Sequence, residues 1–238
     1  FGMQSAVPHV LAVLDRQHTP GRAVAAVAEA RDAGFERISL DLIYGTPGES
    51  DADWRTSLDM AIGTGVDHVS AYSLIVEPGT RLASRVSRGE LPMPDDDVLA
   101  DRYLIADDAL DAAGLCCYEV SNWSTSESTQ AHHNVLYWTG GDWWGIGPGA
   151  HSHVGGVRWW NVKHPREYAA RLDAATSPAA AREVLTADDR AVEDVMLRLR
   201  LRTGYPARLL SERAVGVADC ALQDGLLDAA AYRSGTLI

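Results

Sequence analysis

Arg37-Ile-Ser-Leu-Asp-Leu-Ile-Tyr44, closed by Gly45-Thr-Pro-Gly48, is the stretch on which the fold turns. A run rich in aliphatic and aromatic side chains that stops at a Gly/Pro cluster reads as a β-strand. Upstream, Ala6–Leu14 and Pro20–Ala33 carry Ala, Val and Leu at helical spacing, the second opening with Thr-Pro-Gly and closing on Gly34. Those are a helix start and stop. Downstream, a helix is predicted from about Asp51 to Ile62 with Ser50 or Asp51 as its cap, then a second β-rich run at His68–Val76. Phe1–Ser5 reads as the end of an earlier strand. Strand, helix, strand, helix, strand at this spacing specifies parallel βαβ units and an α/β fold.

Further along, Pro92–Asp97 opens a long helix to about Ala113 with Gly114 as its stop, and Leu115–Val120 is another strand. The acids Asp95–Asp97 suit the positive end of that helix better than a metal site. From Ser121 to Val162 the texture turns to Gly, Trp, His and Tyr, with short β-like pieces at Trp143–Ile146, His151–Val154 and Val157–Asn161. Helices are predicted at His164–Ala174, Thr186–Leu201, Ala207–Glu212 and Val217–Asp224, with no clear final hairpin in Ala214–Ile238. Three regions follow: 1–90, the α/β part; 91–162, a helix and the aromatic, glycine-rich region; and 163–238, a helical C-terminal domain.

The 238 residues carry 21 Lys+Arg against 33 Asp+Glu, a net charge of −12, with 46% hydrophobic residues. That is the balance of a globular chain with a sizeable core. A negative chain without a Lys/Arg run lacks the footprint that nucleic acid or anionic lipid rewards, so neither is an expected partner. No stretch approaches about 18 consecutive apolar residues, and the N-terminus has no signal-peptide pattern, so a cytoplasmic location is expected. Phe1 in place of an initiator Met points to a piece of a longer chain. Cys116 and Cys117 are adjacent and Cys220 is alone, which spells neither a disulfide framework nor a zinc ribbon.

Two places could carry chemistry. Asp41 alternates with Ser39 and Ile43 in a strand expected to be buried on both sides, where a carboxylate is costly unless paired. It either points into a ligand pocket at the C-terminal end of the sheet or forms a structural ion pair, with Arg16 as the candidate partner. Gln4 at the end of the first strand poses the same question more weakly. The second place is His132-His133-Asn134-Val-Leu-Tyr137-Trp138 with Gly140–Gly149, His151 and His153. Imidazole among aromatic rings and glycines suits a flat macrocycle whose iron the nitrogen ligates, so haem is the natural candidate. The spacing is not that of a zinc site, and no helix follows the glycines closely enough for a phosphate loop. The pairs Trp143-Trp144 and Trp159-Trp160 should face opposite sides of their strands, the inward members packing into a core.

These residues also carry a resemblance. Phe1-Gly-Met-Gln4-Ser5, Arg16 with His18, Leu40–Gly48, Ser70–Leu74, Glu77–Thr80, Tyr118-Glu119-Val-Ser121-Asn122, the HNxxYW element His133–Trp138, and Gly141–Ser152 together resemble the HemW family. These are haem chaperones of the radical S-adenosylmethionine (SAM) superfamily, often labelled oxygen-independent coproporphyrinogen III oxidase-like. The resemblance implies the C-terminal half of a partial (β/α)6 radical SAM barrel followed by a smaller α+β or helical domain. It implies haem as the bound cargo, a haem-accepting protein as partner, membrane contact only through that acceptor, and SAM with a [4Fe-4S] cluster in the whole protein. By position it implies SAM contacts at Gln4, Arg16, Asp41 and Ile75, and a haem site at His133, Asn134, Tyr137 and Trp138, with His133 on the iron ahead of His132, His151 and His153. The alternative is an oxygen-independent coproporphyrinogen III dehydrogenase, a radical SAM enzyme of porphyrin biosynthesis, against which the HNxxYW element argues. The family carries its CxxxCxxC cluster motif upstream of the residues matching Phe1. The resemblance therefore implies that this chain by itself neither holds the cluster nor cleaves SAM, and that an open half-barrel exposes strand edge.

Overall fold

A computed structural model describes residues 1–16 and 21–238. The chain divides into two compact units, Phe1–Gln130 and Ala131–Ile238. The three-part division read from the sequence draws its lines at 90/91 and 162/163. The helix that follows residue 90 packs within the first unit, and one sheet of the second unit runs from residue 151 to 184.

The first unit is built on β1 (Gly2–Gln4), helices α1 (Pro8–Val13) and α2 (Arg22–Asp32), β2 (Ser39–Tyr44), α3 (Asp51–Gly63) and β3 (His68–Ser73). Strands β1, β2 and β3 are parallel neighbours, as the βαβ pattern requires, with Asp41 opposite Gly2 on one side and Ser70 on the other. The start of the second helix at Thr19-Pro20, and His18, lie outside the described residues. Ser50 caps α3 by accepting from the Asp53 N–H, while the Asp53 carboxylate accepts from the Ser50 N–H, closing a capping box.

After α4 (Arg81–Ser87) and α5 (Asp96–Ala112), strands β4 (Cys116–Glu119) and β5 (Asn122–Ser124) form an antiparallel hairpin, and the sheet order is β1-β2-β3-β5-β4. Asp95 caps α5, accepting from the Asp97 and Val98 N–H groups, so the acidic run serves the helix end. Leu40, Leu42, Val69, Ala71 and Trp123 meet Trp54 and Leu58 of α3 and Ala106 and Leu110 of α5 in one buried core. Burial on both sides of β2 does not hold. Leu40, Leu42 and Tyr44 are buried, while Ser39, Asp41 and Ile43 are half-buried on the opposite face. The sheet has one apolar face covered by helices and one polar face.

The second unit opens with α6 (His132–Trp138), a helix in the aromatic, glycine-rich stretch for which the sequence predicts only short β-like pieces further on. Strands β6 (His151–Val154) and β7 (Val157–Asn161), helix α7 (Pro165–Asp173) and β8 (Ala179–Val184) follow, giving an antiparallel sheet β6-β7-β8. In Trp143–Ile146 only Trp143 pairs, with His153. Helix α8 (Ala187–Arg198) carries a Thr186/Asp189 capping box, and β9 (Tyr205–Pro206) pairs antiparallel with β10 (Thr236–Leu237). The predicted helix at 207–212 is a short turn at Ala207–Leu209. Ser211 then accepts from the Ala214 N–H and starts α9 (Glu212–Gln223) five residues earlier than expected, before α10 (Ala229–Arg233). The small core here is Tyr205, Ala218 and Leu237. Among the described residues no helix is long and apolar enough to cross a membrane.

Candidate functional site

In the first unit, two of the residues expected at a SAM site, Gln4 and Asp41, lie in strands of the sheet, and the other two, Arg16 and Ile75, lie outside its strands. In-register pairing sets Ser39, Asp41 and Ile43 beside His68, Ser70 and Tyr72, and sets Ser70 beside Asn122. Gln4 ends β1 with φ +64, a left-handed backbone that a side chain with a Cβ adopts only at a cost, and such strain concentrates at functional sites. Arg16, together with Ile43, Leu74 and Arg81, lines a cavity of about 630 Å³. No ion pair joins Arg16 to Asp41 among the described residues, so the structural pairing that could have explained a carboxylate in β2 is not present. Ile75 lies just past β3 and is exposed.

The Gly45-Thr-Pro-Gly48 loop at the end of β2 is held from behind. Glu49 Oε2 accepts from the Gly45 N–H at 2.7 Å and the Thr46 N–H at 3.3 Å, and Arg102 Nη1 donates to the same oxygen at 3.0 Å. A second Arg102 nitrogen donates to the Glu49 carbonyl. Burial pushes the Glu49 carboxyl above its ordinary range, opposed by the Gly45 N–H, Arg102 and the Thr46 N–H. Gly45 has φ +83, and a Cβ there would stand 2.0 Å from a Leu99 methyl, so the turn admits only glycine.

Ser39 Oγ and the Tyr118 hydroxyl each lie 2.8 Å from a ring nitrogen of His68, and Asn122 donates to Glu119. The sequence reading missed these buried groups. His68, Tyr118 and Glu119 each fall inside predicted strands, where alternation gives position but not partner. The three cysteines do not fit a cluster: Cys116 and Cys117 are adjacent in β4 and Cys220 lies in α9, in the other unit. Among the described residues no group of three His, Cys, Asp or Glu could hold a metal ion.

In the second unit, helical spacing brings His133 and Tyr137 together one turn apart, ring centroids 6.3 Å and planes near perpendicular. Tyr137 stands edge-on to Trp143 at 4.9 Å, and Trp143 lies 5.0 Å from His153. His133, Tyr137, Trp143 and His153 thus form a continuous row of rings. His133 and Tyr137 are exposed, Asn134 is half-buried, and Trp138 turns to a different neighbour, with the Arg200 guanidinium 5.8 Å from its ring. His132 is exposed and His151 stacks on Trp160.

Within the row, His153 Nδ1 faces the Gly141 carbonyl at 3.1 Å. A carbonyl only accepts, so Nδ1 is the donor in this contact. The other ring nitrogen, Nε2, is buried without a hydrogen-bond partner among the described residues. Gly145 is required by a close approach, since a Cβ there would stand 2.1 Å from the His151 carbonyl oxygen. The tryptophan pairs do face opposite ways, Trp143 toward Tyr137 and His153, Trp144 toward Trp159. None of the four is buried, which corrects the expectation of a core role for the inward members.

Comparison with known proteins places the chain. Over 228 residues, 96% of its length, it is 57% identical to the haem chaperone HemW of Mycobacterium tuberculosis, covering 58% of that protein. It is 31% identical over 213 residues to the haem chaperone HemW of Bacillus subtilis, covering 90% of this chain and 56% of that one. The chain therefore spans rather more than half the length of these two relatives. No family model matches. Among solved structures, the radical SAM enzyme coproporphyrinogen III oxidase (HemN) from Escherichia coli superposes with a TM-score of 0.72 at 20% identity, covering 86% of this chain and 50% of that chain. At that identity the likeness is one of fold, and it identifies the architecture as part of a radical SAM barrel followed by a C-terminal domain.

Proposed function

Because the chain belongs to the HemW family, we propose that the protein of which these residues form a part binds haem and passes it to an acceptor protein. The observation that carries this reading is the 57% identity to a haem chaperone over almost the whole chain. The row of rings from His133 to His153 gives it a physical basis. His133 projects an exposed imidazole at the head of an aromatic surface, where one nitrogen can meet iron while Tyr137 and Trp143 offer ring faces and edges to a macrocycle. Exposure of His133 and Tyr137 suits a cargo that must leave again, because a fully enclosed site would hold it.

Gln4, Arg16, Asp41 and Ile75 are proposed to contact SAM in the whole protein. The polar sheet face, the strained Gln4 backbone and the Arg16 side chain on the cavity are compatible with a zwitterionic ligand. When bound, SAM with a reduced cluster supplies radical chemistry. The share proposed for these four residues is to shape and charge the SAM pocket.

Haem titration of the full 238-residue chain tests the reading. A saturable Soret shift is expected, and His133→Ala should weaken haem affinity by about tenfold or more. An unchanged titration in that variant removes His133 from the site, and the lack of any Soret shift with the unmodified chain counts against haem binding by these residues.

A further inference from the structure

The sheet β6-β7-β8 has a second face that the His133 row does not use. Alternation along β7 sends Arg158 and Trp160 to one side and Val157, Trp159 and Asn161 to the other. His153 pairs with Arg158, so the imidazole row belongs to the first side. On the second side, Trp159 is paired across the ladder with Arg182 of β8 and meets Trp144 edge-on at 4.9 Å. Helix α7 closes that side with Tyr168 and Leu172. The result is a cavity of about 640 Å³, inside the range of roughly 300–1,000 Å³ in which small-molecule sites fall.

The lining chemistry narrows what could enter. Tryptophan, tyrosine, leucine, proline and alanine side chains make most of the wall, and the lining includes a single charged side chain, Arg182, and no carboxylate. In a chain of net charge −12 that is a selective arrangement. Arg182 forms no ion pair among the described residues, which leaves its guanidinium to meet an anion. The Tyr168 oxygen accepts from the Gly147 N–H at 3.1 Å, which leaves its own proton to donate. One indole face among apolar side chains, with a second indole edge-on to it and one cationic edge, suits a broad planar ring that carries a carboxylate.

We infer that this cavity is a second tetrapyrrole-binding site, one that takes the ring by stacking and holds a propionate at Arg182, independently of iron and of His133. It rests on the proposal that the protein handles haem, and it adds a place where the ring is held apart from the imidazole that would ligate its metal.

Metal-free protoporphyrin IX is the probe, because it removes iron ligation from the measurement. Binding to the full chain is followed by quenching of tryptophan emission and by the porphyrin's own absorbance shift. Trp144 is 70% exposed and Leu172 is 49% exposed, so both can be replaced without opening a core. Trp144→Ala and Leu172→Glu should each weaken the metal-free ring by about tenfold, Arg182→Ala by severalfold, and His133→Ala not at all. Esterifying the two propionates should abolish the effect of Arg182→Ala. Equal binding of the ring by all variants overturns the inference, as does loss of ring binding in His133→Ala. Haem bound by the unmodified chain with no uptake of the metal-free ring overturns the inference and leaves the haem-binding proposal standing. Uptake of neither overturns both.

Discussion

The two larger sheets of this molecule use their aromatic residues in opposite ways. In Phe1–Gln130, Tyr44, Trp54 and Trp123 sit within one continuous core with Leu40, Leu42, Leu58 and Leu110. In Ala131–Ile238 the buried cluster holds three residues, while Tyr137, Trp143, Trp144, Trp159 and Trp160 all keep solvent-facing surface. Burial of apolar surface stabilises a fold at roughly 25 cal/mol per Å², so rings left partly in water contribute less to stability than their size allows. Such an arrangement is expected where the rings serve a ligand, so the contrast gives the aromatic residues around the first sheet a structural part and fits the binding part proposed for those of the second.

The largest effect should come from the scaffold side. Trp54 is fully buried and its indole N–H donates to the Arg102 carbonyl at 2.9 Å. Trp54→Ala should cost about 3–5 kcal/mol in urea unfolding. A cost near zero would break the contrast between the sheets.

Close behind stands the buried pair. Arg102→Met strands the Glu49 carboxylate, and breaking such a pair from one side costs about 3–5 kcal/mol. The sign of its pH dependence follows from the raised Glu49 carboxyl. A carboxyl raised by burial favours the folded state while protonated, fully below the ordinary glutamate value, and that contribution is lost as pH rises through the folded value. The deficit of Arg102→Met should therefore shrink on acidification, and a deficit that grows would mean that Glu49 remains ionised without its partner.

The capping boxes offer a control, because the two units share the device. Ser50→Ala and Thr186→Ala should each cost roughly 1 kcal/mol. Asp53 and Asp189 are held below the ordinary aspartate range chiefly by the Ser50 and Thr186 hydroxyls. Their contribution is present above the ordinary value and disappears as pH falls through the lowered one. Stability of Asp53→Asn and Asp189→Asn should converge on the unmodified chain in that acidic window. Divergence between the two units would show that local capping is not equivalent in them.

Sequence legibility followed the same divide. Strands β2 and β3 and helices α3 and α5 were readable because apolar alternation, caps and Gly114 all agree there. The strand ends were overrun at Val76 because the chain leaves the sheet at Leu74. In the second unit, α6 was hidden because Ala131 offers no capping side chain and the helix spans only seven residues. Strand β8 was hidden because Ala-Ala-Ala-Arg-Glu-Val has little β-propensity and owes its conformation to pairing with β7. Of the candidate site, His133 and Tyr137 were legible as neighbours by helical spacing. Their continuation into Trp143 and His153 depends on a bridge between segments ten residues apart, which no local pattern encodes.

The smallest stability effects should fall on the residues proposed for binding. Trp144→Ala and His133→Ala each remove an exposed ring, and substitutions away from buried features change stability by no more than about 0.5 kcal/mol. Urea midpoints within that margin, alongside weakened haem binding for His133→Ala and weakened ring binding for Trp144→Ala, would separate recognition from folding in one unit. A large loss of stability in either variant would instead return that ring to a structural role. The aromatic residues of the second sheet would then be a core that is merely shallow, and the division of labour between the two sheets would fall with it.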